Sequence, residues 1–200
     1  MITLAVDTTA EIGSIALADE NGVREEVVVQ APQGFSQVLF GEIEALLERQ
    51  GVGLAAIELF AAAAGPGSFT GVRVGLSAIK GLAEVLGKRV VAVSNLEALA
   101  EFGQSGERAT VIDAHRGEVY AAVYDGAGKQ IIAEAVIPLE NFRRMLADRE
   151  VEWIDTPRPL AGAIARIAMR KARNGLAQDP AAIEANYVRR SDAELLWKGG

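Results

Sequence analysis

The feature that most constrains this chain is a glycine-rich turn between an apolar strand and a long helix. Residues 59–64 read LFAAAA, which predicts a buried strand, and residues 65–76 read GPGSFTGVRVGL. Glycine and proline end the strand there, and Ser68 and Thr70 can each cap free N–H groups at a helix start. We therefore predict a helix from about Phe69 to Leu86.

A turn of this kind can bind phosphate, but neither of two common nucleotide-binding motifs fits. The P-loop places four residues between its first glycine and Gly-Lys-Ser/Thr, whereas the nearest stretch, residues 81–89, has five and lacks the hydroxyl. The dinucleotide motif needs Gly-x-Gly-x-x-Gly, and Gly65, Gly67 and Gly71 are spaced one residue too widely. What remains is a helix N-terminus, which attracts anions only weakly.

The predicted helix has one face that begins almost without side chains, formed by Gly71, Gly75, Ala78 and Leu82. Each glycine inside a helix costs about 1 kcal/mol relative to alanine. Small residues four apart let another backbone approach closely. Two interpretations stay open: the helix packs tightly on its own sheet, or this face docks against a partner chain.

The remaining pattern predicts two similar halves. Gly103–Gly106 is the natural boundary between them, which gives domains 1–103 and 107–200. A capping box, Ser94 with Glu97, begins the last helix of the first half. Periodicity alone indicates an α/β fold with mixed sheets. The predicted strands are Ile2–Val6, Gly13–Ala18, Val23–Gln30, Ile57–Ala64, Val90–Val93, Thr110–Ala114, Gly117–Tyr124, Gln130–Ile137 and Val151–Ile154, and the further helices are Phe35–Gln50, 94–102, Pro138–Ala147 and Leu160–Arg173.

Composition excludes several classes of function. The chain has no cysteine and one histidine, His115, so thiolate chemistry and a paired-histidine metal site are ruled out. A net charge of −7 argues against direct nucleic-acid binding. The one basic cluster is interpreted as a solvated helix face, with a tRNA-binding helix as the alternative; it comprises Arg166, Arg170, Lys171 and Arg173.

The N-terminus lacks a basic segment followed by a long apolar run, and no stretch approaches the roughly 20 apolar residues of a membrane span. We therefore expect a soluble, cytoplasmic protein without a membrane partner.

Residues 65–76, together with AIKGLA at 78–83, resemble the TsaB (YeaZ) family, whose members help make threonylcarbamoyladenosine in tRNA. The resemblance covers nearly the whole chain and implies a duplicated actin/sugar-kinase/Hsp70-like ATPase fold with a reduced second half. Further blocks agree in order, namely AVDT at 5–8, VSNLEALA at 93–100, IDAHRGEVY at 112–120 and NYVRRSDAE at 186–194.

The resemblance implies a non-catalytic scaffold subunit that binds and activates the catalytic subunit, TsaD. A small ATPase, TsaE, joins the family's complex, and tRNA is reached only through that complex. The chain itself is expected to need no cofactor and no metal. Without the partner, the same surface could pair two copies as a homodimer.

Two helices are expected to form the partner interface, in a four-helix contact with the equivalent helices of the partner. Phe35 stands where the family often has histidine, which would make that contact more apolar. The residues expected there are Phe35, Leu39, Ile43, Gly71, Gly75 and Ala78.

Asp7 and Thr8 follow the first strand, at a position that approaches the phosphates in ATPases of the implied fold. They are therefore a candidate vestigial phosphate site, and the alternative is a local Asx turn that caps the hairpin.

An enzymatic alternative also stays open: a weak ATPase that uses Asp7, or a glycoprotease-like hydrolase that uses Ser68 with His115. The second lacks support from a Gly-x-Ser-x-Gly elbow, which the sequence does not contain.

Overall fold

The computed structural model of the 200-residue chain describes residues 1–104, 106–155 and 157–188. Two parts of the sequence patterns lie outside these ranges: Ser105, in the proposed boundary, and residues 189–194 of the NYVRRSDAE block. No helix in the described ranges is both long enough and apolar enough to cross a bilayer.

The first half forms a five-stranded mixed sheet with strand order β3-β2-β1-β4-β5. β1 pairs antiparallel with β2 and parallel with β4. The helix predicted from Phe69 is confirmed, and Ser68 caps it by accepting a hydrogen bond from the Gly71 N–H. The elements are β1 (Thr3–Asp7), β2 (Ile12–Asp19), β3 (Gly22–Gln30), α1 (Phe35–Arg49), β4 (Leu59–Ala63), α2 (Phe69–Leu86), β5 (Arg89–Val93) and α3 (Asn95–Ala100).

The second half repeats this plan in a four-stranded sheet with order β8-β7-β6-β9. β6 pairs antiparallel with β7 and parallel with β9, as β1 does with β2 and β4. The predicted pair of β-β-β-α halves is therefore confirmed, whereas the division into domains 1–103 and 107–200 stays a prediction. The elements are β6 (Glu107–Asp113), β7 (Glu118–Tyr124), β8 (Gln130–Pro138), α4 (Leu139–Met145), β9 (Val151–Asp155) and α5 (Ala161–Arg173).

The central strands β1 and β4 of the first sheet are buried on both faces, and alternate residues of each strand serve the two layers. Leu4 and Val6 point toward α1 and α2, while Ala5 points toward α5. The α5 layer is rich in alanine on both sides, which lets the helix lie close to the sheet. Thus α5 belongs to the second half in sequence but packs on the sheet of the first half.

The basic cluster on α5 is paired with acidic residues of α3. Arg166 and Arg170 both reach Glu101, at 3.5 and 2.7 Å, and Lys171 lies 2.6 Å from Glu97. Ser94 caps α3 as predicted, but the Glu97 carboxylate binds Lys171, so the capping box expected from the sequence is only half formed. These cations hold two helices together, which removes the main support for a tRNA-binding helix.

The glycine face of α2 packs on the turn that follows β1. A Cβ atom added at Gly71 would lie 1.9 Å from the Thr8 carbonyl oxygen, and one at Gly75 would lie 2.5 Å from Thr8 Oγ1. The Thr8 hydroxyl donates a hydrogen bond to the Gly71 carbonyl at 2.7 Å. Of the two interpretations of this face, the structure supports packing within the chain. The expectation that Gly71 and Gly75 themselves meet a partner stays a prediction, and their Cβ positions face Thr8 of the same chain.

We expect Gly71→Ala to destabilise the protein by about 1–3 kcal/mol, because the added methyl group overlaps backbone that cannot move aside. Gly81 lies in the same helix with no atom within 4 Å of its Cβ position, so Gly81→Ala should stabilise by about 0.5–1 kcal/mol. Urea unfolding of the two variants measures the difference, and equal effects would contradict the close packing of α2 on Thr8.

Candidate functional site

The candidate phosphate site lies in the turn after β1. Asp7, Thr8 and Thr9 are all buried. Asp7 Oδ1 accepts hydrogen bonds from the Thr9 backbone N–H at 2.9 Å and from the Thr9 hydroxyl at 2.6 Å. This is the geometry of a local Asx-type turn. The function of Asp7 and Thr8 as a former phosphate site stays a prediction, but their polar groups are engaged within the chain.

The N-terminus of α2, which would attract an anion, is exposed at Ser68, Phe69 and Thr70 but is partly engaged by hydrogen bonds within the chain. The Ser68 N–H donates to the Thr9 carbonyl at 2.7 Å. A Cβ atom at Gly67 would lie 2.6 Å from the same carbonyl oxygen. Asn95 closes the other side, since its amide group donates to Thr9 Oγ1 and its Oδ1 accepts from the Gly65 N–H at 3.2 Å. The Ser68 and Gly71 N–H groups are thus bound within the chain, which leaves fewer donors for an anion at this helix start.

Burial raises the pKa of the Asp7 carboxyl above its ordinary value of 3.8. The two hydrogen bonds from Thr9 oppose that shift, and the nearby charge of Glu26 adds to it. Desolvation disfavours the ionised form of a carboxyl. The environment of Asp7 is therefore that of a structural side chain more than that of a metal-binding carboxylate.

The residues of the hydrolase alternative lie in different halves of the structure. Ser68 caps α2, while His115 lies in the turn between β6 and β7 and is 88% exposed, with Nδ1 3.5 Å from the Asp113 carboxylate. In the described part of the chain no hydrogen bond joins Ser68 to His115. A search of the same residues finds no group of three or more His, Asp or Glu side chains placed to hold a metal ion.

A groove of about 590 Å³ separates α1 from α2 on the outer side of these helices. It exposes two aromatic side chains, Phe40 at 54% and Phe69 at 47%. Exposed apolar surface that is contiguous and concave marks interaction sites in soluble proteins. The lining residues are Ser36, Leu39, Phe40, Phe69, Thr70, Arg73, Val74, Ser77 and Ala78.

Most of the side chains expected at the interface are core residues. Phe35, Leu39 and Ile43 are buried, and a Cβ atom at Gly13 would lie 2.5 Å from the Phe35 ring. Phe35 therefore fills space beside β2, so the expectation that it makes a partner contact more apolar does not fit its position. Only Leu39 and Ala78 of the expected set line the groove.

The exposed aromatic residues Phe40 and Phe69 were missed by the sequence argument. Phe40 follows the buried Leu39 in sequence, but it lies off the stripe that Leu39 and Ile43 share. A helical position adjacent to the core stripe and occupied by a large apolar residue is the signal that could have found it.

Comparisons with known proteins agree with this fold and identify the proteins that the chain is similar to. The family model "TsaD: tRNA N6-adenosine threonylcarbamoyltransferase" matches residues 22–183. The Bacillus subtilis (strain 168) tRNA threonylcarbamoyladenosine biosynthesis protein TsaB is 32% identical over 155 residues, which cover 75% of this chain and 68% of that relative. The Escherichia coli (strain K12) protein of the same name is 32% identical over 162 residues, with coverages of 77% and 70%.

Among solved structures, YeaZ from Pseudomonas aeruginosa superposes with a TM-score of 0.80 at 28% sequence identity, covering 93% of this chain and 99% of that one. With the two sheets of like topology, this match gives an α/β fold of the duplicated actin/sugar-kinase/Hsp70-like type. The predicted fold class is confirmed.

We expect Asp7→Asn to fold and to be more stable than the wild type at neutral pH. Asparagine Oδ1 can still accept both hydrogen bonds from Thr9, and no charge is buried. Because the folded-state pKa of Asp7 is raised, the unfolded chain loses this proton first, so wild-type stability falls as the pH rises above 3.8. The Asn variant should lack that fall, which urea unfolding between about pH 4 and pH 8 would show.

The matched control is Asp7→Ala, which removes the acceptor and leaves the Thr9 N–H buried without its partner. It should lose about 1–3 kcal/mol. An Asn variant as unstable as the Ala variant would show that the carboxylate charge itself is needed at this position.

Proposed function

The chain belongs to the TsaB (YeaZ) family, and on that premise we propose that it takes part in tRNA threonylcarbamoyladenosine biosynthesis as a non-catalytic partner subunit. In this role it binds and activates a TsaD-like catalytic subunit. A TsaE-like small ATPase joins the complex, and tRNA contacts the chain only through the assembly. The same surface could support a homodimer when the partner is absent.

The observation that carries this proposal is the apolar groove between α1 and α2. Phe40 and Phe69 are about half exposed at its rim, while Leu39 and Ala78 form apolar surface beneath them. A groove between two helices is suited to receive a further helix with an apolar face. Since the TsaD family model matches this chain across both helices, a TsaD-like partner is expected to present equivalent helices to it.

A non-catalytic role is supported by how the turn after β1 is used. The Ser68 N–H at the start of α2 and Oδ1 of Asp7 are bound to atoms of the same chain. Opening this turn for a nucleotide would break several buried hydrogen bonds and separate α2 from Thr8. The structure thus favours a function on the side of α2 over one at its N-terminus.

Indirect contact with tRNA is supported by charge. The chain has a net charge of −7, and three of the four cations in its basic cluster are paired with Glu97 and Glu101. Binding of nucleic acid depends on cations free to displace counterions from phosphates. We therefore assign tRNA binding to other subunits.

We expect Phe40→Asp to weaken binding of the TsaD-like subunit by at least about tenfold, because a charge in an apolar contact must be desolvated. Val85 is the matched control, since it is 86% exposed on α2 and lies outside the groove lining. Val85→Asp should leave affinity unchanged. Titration calorimetry measures binding, and tRNA modification in a reconstituted system with the small ATPase measures its consequence.

Two results would contradict the proposal. If modification proceeds equally well when this chain is omitted, its role in the pathway is not that of an activator. If Ser68→Ala or His115→Ala stops turnover while the complex still assembles, the chain is a catalyst and the hydrolase alternative gains support.

A further inference from the structure

We propose that Arg73 is the electrostatic anchor of the partner contact and receives a carboxylate from a helix of the partner. This inference rests on the proposed function and adds the chemistry of the partner surface that binds in the groove. The occupant is a helix with an apolar ridge for the groove and an acidic side chain beside that ridge.

The side chain of Arg73 is held in place by two aromatic residues. Its guanidinium carbon lies 3.9 Å from the centre of the Phe69 ring, within the range of a cation–π contact. Its Nε donates a hydrogen bond to the Tyr187 hydroxyl at 3.3 Å. The rings of Phe69 and Tyr187 are themselves in contact, with centres 5.7 Å apart. A long side chain fixed before binding loses less entropy when a partner arrives.

Tyr187 is fixed in turn by the segment that carries it, the C-terminal strap (residues 183–188). Ile183 is fully buried in the core beneath α2. The Asn186 N–H donates to the Ala64 carbonyl at 2.7 Å, and its amide side chain donates to Glu134 of β8 at 2.6 Å. The strap therefore holds Tyr187 beside α2 with contacts to both halves of the structure.

The charge of Arg73 is left unneutralised by the described chain. No carboxylate in residues 1–104, 106–155 and 157–188 lies within 4 Å of its guanidinium nitrogens, whereas Arg24, Arg149 and Arg170 each have one. The contact to Tyr187 uses Nε. The two terminal nitrogens of Arg73 are thus available to bind both oxygens of one carboxylate, which is the arrangement that guanidinium groups favour.

Arg73 also lies where two concave surfaces meet. It lines the groove between α1 and α2, and it lines a second concavity of about 300 Å³ between α2 and the C-terminal strap. The second concavity is also lined by Ser77 and Lys80 from the same helix and by Glu184 from the strap. Two cations and a hydroxyl along one side of α2 complement an acidic side chain, in a protein that is acidic as a whole.

An acidic helix fits this surface better than a nucleic-acid phosphate does. The cation lies over the exposed ring of Phe69 and shares the groove lining with the exposed Phe40, and these rings favour an apolar protein surface. The net charge of −7 repels a polyanion, while a single carboxylate on an apolar helix brings little repulsion. Complementary charge of this kind sets the register and the rate of association, and arginine is enriched among the residues that dominate interfaces.

The test compares three variants in titrations with the TsaD-like subunit at low and high salt. Arg73→Glu should weaken binding by about 30-fold or more, and Arg73→Lys by about three- to tenfold, since lysine keeps the charge but cannot bind both oxygens. Arg144→Glu is the matched control, because it makes the same charge change at an exposed position of α4. It should change affinity by less than about twofold, and only Arg73→Glu should lose the salt dependence of the wild type, since Arg73→Lys keeps the charge.

A charge swap identifies the partner group. Replacing, one at a time, the exposed acidic residues on the contacting helix of the TsaD-like subunit with lysine should restore binding to Arg73→Glu at one position. If Arg73→Glu binds as well as Arg144→Glu, or if no swap restores binding, the anchor is wrong while the partner role stands. If the wild-type chain itself does not bind the TsaD-like subunit, the proposed function fails first.

Discussion

The rest of the structure depends on the close approach of α2 to the turn after β1. Glycine is required at positions 71 and 75 because the carbonyl and hydroxyl of Thr8 occupy the space where side chains would be. This contact fixes the rotation of α2 about its axis. With the glycine face turned inward, Phe69, Arg73 and Ser77 are carried to the outer side of the helix, where they line the groove. The same packing therefore creates the core and selects the surface.

A second constraint joins the two halves. α5 follows the last strand of the second sheet in sequence but packs on the first sheet. There Ser14 Oγ accepts hydrogen bonds from the N–H groups of Leu160 and Ala161 at 3.1 and 2.9 Å. The chain then returns along β5, where Gln178 pairs with Val90, and continues into the C-terminal strap. The position of Tyr187 beside α2 thus depends on both halves, since Asn186 also binds Glu134 of β8. The partner-facing surface is a product of the whole fold.

The sequence predicted the local structure well because its signals are local. The bounds of α2 follow from a turn, a serine cap and an apolar stripe, and the two halves follow from repeated strand patterns. The sequence could not decide whether the glycine face of α2 packs within the chain or against a partner chain, because a face of small residues has the same pattern in both cases. The partner of Glu97 could not be predicted for the same reason, because Lys171 lies in a helix 74 positions away in sequence. Tyr187 on Arg73 is a contact of the same long-range kind, across 114 positions.

The hydrogen-bonded turn after β1 and the outward position of Arg73 both follow from the packing of α2 on Thr8. The Thr9 carbonyl accepts the Ser68 N–H at the start of α2, which leaves one donor fewer there for an anion. Arg73 lies one turn further along the helix and is held by Phe69 and Tyr187. Arg73 is exposed, and a charge held in place without a counterion in the described chain is available to a carboxylate of a partner. A helix side that combines this charge with exposed aromatic rings is therefore suited to recognising a protein surface. The hydrogen-bonded turn after β1 supports α2 from the inner side and keeps that surface in place.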